Sequence, residues 1–535
     1  MIGYLKKLMR LGKRARHLPD DVRAYEASDE TPLSSSLKRN LASLKGIFEG
    51  SGDVVFREFS FGSGDGRNAA LLFIDGLVNQ AQINESIVKP LMLWSRAVPD
   101  GGAPDFSDMD AIMRGALTAS EVKKIAALKE AVEGCLSGDA VLFAEGFSEA
   151  LVVNAKGWEK RAVSEPDNEA VVRGPREGFT ENLRTNTALL RRKIKNPALR
   201  LESTKIGDRT NTSACIVYVE GLANPDLLKE IRKRLSSIKT DAILSSGYVE
   251  EYIEDNQFSV FQTIGYSEKP DVVAGKLLEG RAALIVDGSP FVLTMPMLFI
   301  ENFQTSEDYV VRAYYATFLR LLRLFAFVFS LLGPALYVVL TTYHQELIPT
   351  PLLFTMASSS EGVPFPAAVE VAIMLLSFEV LKEAGVRLPQ PVGQAISIVG
   401  ALVMGQAAVQ AGFVGAPVVI IIAFTAVASF VSPYVVEAVS VLRWYLLILA
   451  STMGGFGVTL GVLTILVHMA ALKSFSTPYL SPLAPLNTPD LKDTFVRAPM
   501  WLMKTRPRAL KPQDMKRQDM HRPEFSNDGS EDSLP

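Results

Sequence analysis

Four carboxylates in the first 300 residues share one setting. Asp75, Glu145, Glu220 and Asp287 each close a short apolar run and each precede a glycine, as in Leu71-Leu-Phe-Ile-Asp75-Gly76 and Ala283-Leu-Ile-Val-Asp287-Gly288. The C-terminal end of a strand is where α/β sheets place ligand-binding and acid–base groups. An acid followed by glycine is also ordinary turn chemistry, and that is the reading these residues favour. Two more carboxylates, Glu370 and Glu379, sit inside the apolar stretch 365–381. A fixed carboxylate in a membrane attracts cations and repels anions, and it costs about 2.5–3.5 kcal/mol at a helix centre. Such residues therefore face a protein interior or a watery path. Nine residues at about 100° each put the two on opposite helix faces, so one can line a cation path while the other pairs with a neighbouring helix. The competing reading is an interfacial helix that keeps both near water.

Other chemistries lack their residues. Gly174-Pro-Arg-Glu-Gly178 has no Gly-Lys-Ser/Thr after it, and Gly62-Ser-Gly-Asp-Gly66 lacks the third position of a dinucleotide fingerprint. His17, His344, His468 and His521 are scattered. Cys135 and Cys215 form no CxxC and sit in apolar company, which predicts inert buried thiols. No catalytic residue, cofactor or metal ligand is assigned. A net charge of −3 gives no argument for nucleic acid as a partner.

The acids are positioned by an internal repeat. Ala70–Asn79 lines up with Cys215–Asn224, and Gly138–Gly146 resembles Gly280–Gly288. Strand-like runs alternating with helical patterns predict two related α/β modules, with a helix from Gln80 to about Trp94 and another from Leu227. The expected order is a basic N-terminal tail (1–50), a first module (51–160), a linker with an Arg-rich helix (161–211), a second module (212–310), an all-α transmembrane domain (311–475) and a C-terminal cytoplasmic tail (476–535). Thr180 is the expected cap of the Arg-rich helix, and disorder is expected past about residue 511.

A crossing needs about 20 mostly apolar residues. Leu324–Thr341, Pro391–Val414, Pro417–Val436 and Trp444–Leu472 qualify, with Phe365–Leu381 as the glutamate-bearing fifth. In Pro391–Val414, Ser397, Ala401, Gly405, Ala408 and Gly412 share one face, a seam for close helix packing, a subunit interface or a narrow pore. Gln394, Gln406 and Gln410 add polar groups that need partners. Basic residues at Arg312–Arg323, Lys382, Arg387 and the tail argue for the cytoplasm. Arg443 falls there too, so one crossing by the last stretch would place the basic tail outside. A hairpin broken at Gly454-Gly455 returns it, and that is the preferred arrangement.

Three stretches then carry a family resemblance: EPDNEAVVRGPREGFTENLRTNTALLRRKI (165–194), LLEGRAALIVDGSPFVLTMP (277–296) and LPQPVGQAISIVGALVMGQAAVQAGFVGAPVVIIIAFTAVASF (388–430). The chain resembles the A subunit of the GerA-type spore germination receptors, over roughly residues 65–510. The resemblance implies a multi-pass protein of the spore inner membrane with its N-terminal half facing the spore core. Its implied partners are a transporter-like B subunit, a lipoprotein C subunit, membrane lipid and further copies of itself. It also implies an oligomeric channel, opened by nutrient germinants and passing cations, and no enzyme. A non-conducting scaffold of the same receptor is the alternative, and a membrane-anchored enzyme is disfavoured by the missing motifs.

Overall fold

The computed structural model describes residues 31–61, 66–97, 108–157, 169, 171–387 and 403–518. They form two compact units. The first takes in the chain up to Asp255, Ile264–Met297 and the residues from Met500; the second takes in Asn256–Thr263 and Leu298–Pro499.

The first unit contains the repeat twice over. Module one runs α1 (Leu37–Ile47), β1 (Val54–Phe61), β2 (Arg67–Ile74), α2 (Lys89–Ala97), α3 (Met109–Gly115), β3 (Val122–Ile125), α4 (Leu128–Leu136), β4 (Ala140–Ala144) and β5 (Ala150–Val153). Module two runs α5 (Leu183–Lys193), β6 (Leu199–Ile206), β7 (Thr212–Val219), α6 (Pro225–Ser237), α7 (Ser246–Ile253), β8 (Gly265–Ser267), α8 (Pro270–Leu277), β9 (Ala282–Val286) and β10 (Val292–Met295). Both sheets are antiparallel, with orders β1-β2-β4-β5-β3 and β6-β7-β9-β10-β8. In β2 the period of two sends Ala70, Leu72 and Ile74 into one core with α1 and α4. Ala69, Leu71 and Phe73 enter the opposite core with α2 and α3. A central strand covered on both faces must be apolar throughout, which is why its sequence does not alternate.

The repeat is longer than the sequence motifs indicate. Residues 37–47, assigned to a basic tail, are the first helix of module one, and the Arg-rich helix of the expected linker is its counterpart in module two. Lysines on the outer face of α1 masked its apolar inner face of Leu37, Leu41 and Leu44. β6 likewise begins inside the expected linker. The cap of α5 is Asn182 and not Thr180: Asn182 Oδ1 accepts the N–H groups of Arg184 and Thr185 at 2.9 and 3.1 Å. The C-terminal region is not a free tail up to residue 518. Leu77 O accepts Gly157 N–H in module one, and Leu222 O accepts Gln513 N–H in module two. The returning chain thus supplies to the second module what the residues after β5 supply to the first. Residues 1–30 and 519–535 lie outside the described residues.

The second unit holds α9 (Ala313–Thr342), α10 (Thr350–Ser360), α11 (Ala367–Arg387), α12 (Ala416–Val431) and α13 (Val436–Ala471). Helical structure also covers residues 403–410. Two of these helical stretches are long and apolar enough to cross a membrane, Ala313–Thr342 and Pro433–Ala471. α12 has 16 residues, about 24 Å, because Pro433 stops it earlier than the apolar run predicts. Large apolar side chains lie outward on this unit, among them Ile420, Phe424, Phe456 and Val467. A soluble surface rarely carries so continuous an apolar face.

Within α13 only Gly454 leaves helical geometry, at φ 58° and ψ −141°. A methyl built on Gly461 would sit 2.6 Å from Leu446 Cδ2 and 3.5 Å from Tyr445 Cε1. On a straight helix those residues stand about 22 Å apart, so the chain reverses at Gly454 and α13 is a hairpin of two arms. Its tip meets the end of α9, where Tyr343 Oη donates to Ser451 O at 2.6 Å. At the other end Leu472 O accepts Tyr479 N–H, the Tyr479 ring meets Phe299, and Phe299 meets Phe327 near the start of the apolar part of α9. Both ends of the helical region are therefore at one end of the unit, which is the hairpin alternative. Gly454→Ala is expected to cost about 1–3 kcal/mol, because its backbone region is nearly exclusive to glycine and a Cβ would lie 2.8 Å from Tyr343 Cγ. The thermal midpoint of the detergent-solubilised chain measures it; an unchanged midpoint would contradict the reversal.

Candidate functional site

The four strand-end acids are structural. Glu145 accepts Leu37 N–H at 2.8 Å, and Asp287 accepts Leu183 N–H at 3.0 Å. Each carboxylate thus satisfies the first amide of the helix that opens its own module, where negative charge is favoured. The repeat extends to Asn40 and Asn186. Each pairs its side-chain amide with the backbone six residues earlier, at Ser34 and Thr180. Asp75 accepts from Gln80 Nε2 at 2.9 Å and meets Arg184 of α5 at 3.4 Å. Glu220 holds Arg200 at 2.5 Å. Arg200 donates to Ile47 O, and Arg191 forks onto Asp53 at 2.8 and 2.9 Å. These arginines join the two modules rather than serve a reaction. Both cysteines are buried and free. Burial pushes the Cys135 thiol well above its usual range and the Cys215 thiol up to about 12, so neither is a ready nucleophile.

In the helical unit the two glutamates of α11 meet different neighbours, as opposite helix faces require. Glu370 is 3% exposed and its Oε2 accepts Gly415 N–H at 2.7 Å, at the N-terminal end of α12. Among the described residues it forms no ion pair. Glu379 stands in a polar knot on the other side. Lys382 Nζ lies 2.5 Å away and Arg443 Nη1 3.4 Å, and Ser440 Oγ donates to it at 3.1 Å. Arg443 also donates to Ser330 O at 2.9 Å and Ser330 Oγ at 2.8 Å on α9. Its guanidinium is consequently an internal tie between helices. Glu379 likewise is no open carboxylate, since two cations balance it. A cleft beside this knot is lined by Glu379, Lys382, Glu383, Glu437 and Ser440.

The small-residue seam is placed in part. Ser397, Ala401 and Gln394 lie outside the described residues. Gly405 is buried, and a Cβ there would meet Val419 Cγ1 of α12 at 2.9 Å. Ala408 is half-buried, whereas Gln406 and Gln410 are exposed. Gly412 lies beyond the helical residues with φ 70°, a left-handed terminator and not a seam position.

Sequence reasoning missed one cluster. Asp308 accepts from Arg320 Nε and Arg323 Nη1, each at 3.0 Å. Arg320 also reaches Asp493 at 2.9 Å, and the Tyr309 ring lies 5.5 Å from the Arg320 guanidinium and 5.8 Å from that of Arg497. Arg320 and Arg323, three apart, were legible as a basic flank of an apolar helix. The acids lie 12 and 173 residues from Arg320, and no local pattern announces them.

The sequence pattern described as Bacillus/Clostridium GerA spore germination protein matches residues 42–509. Two proteins of Bacillus subtilis (strain 168) align along most of their length. Spore germination protein KA is 45% identical over 484 residues, covering 90% of this chain and 88% of that protein. Uncharacterized membrane protein YfkQ is 43% identical over 488 residues, covering 91% and 93%. Among solved structures, the N-terminal domain of the A subunit of the Bacillus megaterium spore germinant receptor GerK3 is 36% identical, covering 50% of this chain and 98% of that one, with a TM-score of 0.38.

Proposed function

This chain belongs to the Bacillus/Clostridium GerA spore germination protein family, and we propose that it is the A subunit of a nutrient germinant receptor. In this reading it is a multi-pass protein of the spore inner membrane, partnered by a transporter-like B subunit and a lipoprotein C subunit. Copies of its helical unit assemble into a cation channel opened by germinant binding to the receptor.

One observation carries the channel reading. Glu370 is a buried carboxylate among apolar helices with an amide, and no cation, as its described partner. Burying an uncompensated charge is costly, and a cation path beside it would offset that cost. The capping of α12 explains the hydrogen bond but does not require a charge. Glu370→Gln separates the two roles, because the glutamine carbonyl still accepts the Gly415 N–H while the charge is gone. Nutrient-triggered cation release from spores carrying Glu370→Gln is expected to slow about tenfold, or ~1.4 kcal/mol in barrier, at normal protein level. Unchanged kinetics would remove Glu370 from the path. The scaffold reading draws on Glu379, whose charge is balanced by Lys382 and Arg443. Conductance of the full chain in liposomes, with and without the partner subunits, decides between them.

A further inference from the structure

The two modules share their order of strands and helices, and the connection before the third strand of each differs in length. In module one, residues 116–121 join α3 to β3 and stay within the module: Leu117 N–H donates to Ile112 O, and Thr118 N–H to Ser86 O. In module two the corresponding connection runs from 254 to 264. Its middle, Asn256–Thr263, belongs to the second compact unit although both its ends continue into the first. The module fold does not need that extra length, as its twin demonstrates.

The contacts of the insertion are specific. Phe261 is 2% exposed, with its ring centroid 6.2 Å from that of Phe299, 6.4 Å from that of Tyr479 and 6.3 Å from that of His468. Ser259 Oγ accepts Phe261 N–H and pairs with His468 Nε2, both at 3.1 Å. Thr263 O accepts Ser474 Oγ at 2.5 Å, and Gln262 Nε2 donates to Glu437 at 3.4 Å. His468 is in the last turn of the return arm of α13, Ser474 follows that arm, and Glu437 begins the outgoing arm. The insertion therefore grips both arms of the hairpin at their open end, through one buried ring and three polar contacts.

We propose that residues 256–263 are a transmission strap, through which the position of the α13 hairpin and the state of module two are coupled. Any shift of the return arm moves Phe261 and Ser259, and the covalent joints at Asp255 and Ile264 carry that shift to α7 and β8. This rests on the reading of the chain as a receptor subunit, and it adds a link between module two and the α13 hairpin beside the direct chain crossings at Met297–Leu298 and Pro499–Met500.

Two variants of the full chain test it, each replacing the resident copy in spores. The first replaces 256–263 by Gly-Ser-Gly, which gives module two the connection length of module one. The second is Phe261→Ala. Both are expected to accumulate normally and to retain slow hydrogen exchange at β8, while the nutrient-triggered response falls about tenfold, in the range usual for coupled sites. A normal response from Phe261→Ala, or failure of the shortened chain to accumulate, would overturn the proposal and make the segment a folding element only. The response is scored by germination, so a chain that conducts nothing in liposomes would sink the channel reading while leaving the strap independently decided.

Discussion

Asp308→Ala is expected to lower the stability of the helical unit by about 3–5 kcal/mol, the usual consequence of breaking a buried ion pair from one side. Asp308 and Arg320 are both fully buried, and Arg323 is nearly so. With Asp308 removed, Arg320 keeps Asp493 as an acid partner, whereas Arg323 loses the acid it is paired with. Neither arginine can shed its charge, because guanidinium stays protonated at any accessible pH. The same carboxylate also accepts Thr305 N–H at 3.2 Å, which fixes the turn that leads into α9. Asp308→Asn separates these contributions, since the amide oxygen can still accept that N–H while the charge is lost. The thermal midpoint of the full chain in detergent reads both variants. An Asp308→Ala protein within about 0.5 kcal/mol of the parent, the range of ordinary surface changes, would show that the cluster does not hold the base of α9.

Arg191→Met is the counterpart in the first unit, again with about 3–5 kcal/mol at stake. Arg191 reaches Asp53 with two hydrogen bonds and Ser51 Oγ with a third at 3.2 Å, so it ties α5 of module two to the loop before β1 of module one. Arg191→Lys is expected to lose much of this, because an ammonium cannot reproduce the planar fork. Arg191→Met combined with Asp53→Leu should regain most of the loss, since neither charge is then left buried alone. Hydrogen exchange at β6, whose Leu201 O accepts Gly52 N–H across the same joint at 2.9 Å, reports opening of the joint. Equal exchange in the single and double variants would mean that an unpaired buried charge is not what loosens the joint.

The repeat was legible where burial forces an apolar run. Ala70–Asn79 and Cys215–Asn224 could be aligned because central strands buried on both faces tolerate little variation, and the following asparagines must cap helices: Asn79 Oδ1 accepts Gln82 N–H and Asn224 Oδ1 accepts Asp226 N–H. The opening helix α1 escaped notice because half of it faces outward, and α5, expected as an Arg-rich linker helix, was not matched to it. Lys38, Ala42 and Lys45 in one and Arg184, Ala188 and Arg191 in the other share positions but not surroundings. In α1 these residues meet solvent, whereas in α5 they meet the other module. The glutamates of α11 were located on opposite faces by helical geometry alone, and their partners Gly415 and Arg443 lie on those different sides.

Hydropathy and the 3.6-residue period, which act through neighbours in the chain, determined by themselves that soluble α/β modules precede apolar helices, that Gly454-Gly455 interrupts the last of these, and that Glu370 and Glu379 diverge. Tertiary structure alone decided that Glu379 is neutralised, that Asp308 gathers two arginines, that residues 511–518 complete module two, and that 256–263 leaves its module for the hairpin. Apart from Lys382, one turn from Glu379, these groups come together from a dozen to hundreds of residues apart. An isolated stretch of sequence carries the charge or ring that takes part, but not the identity of what it will meet.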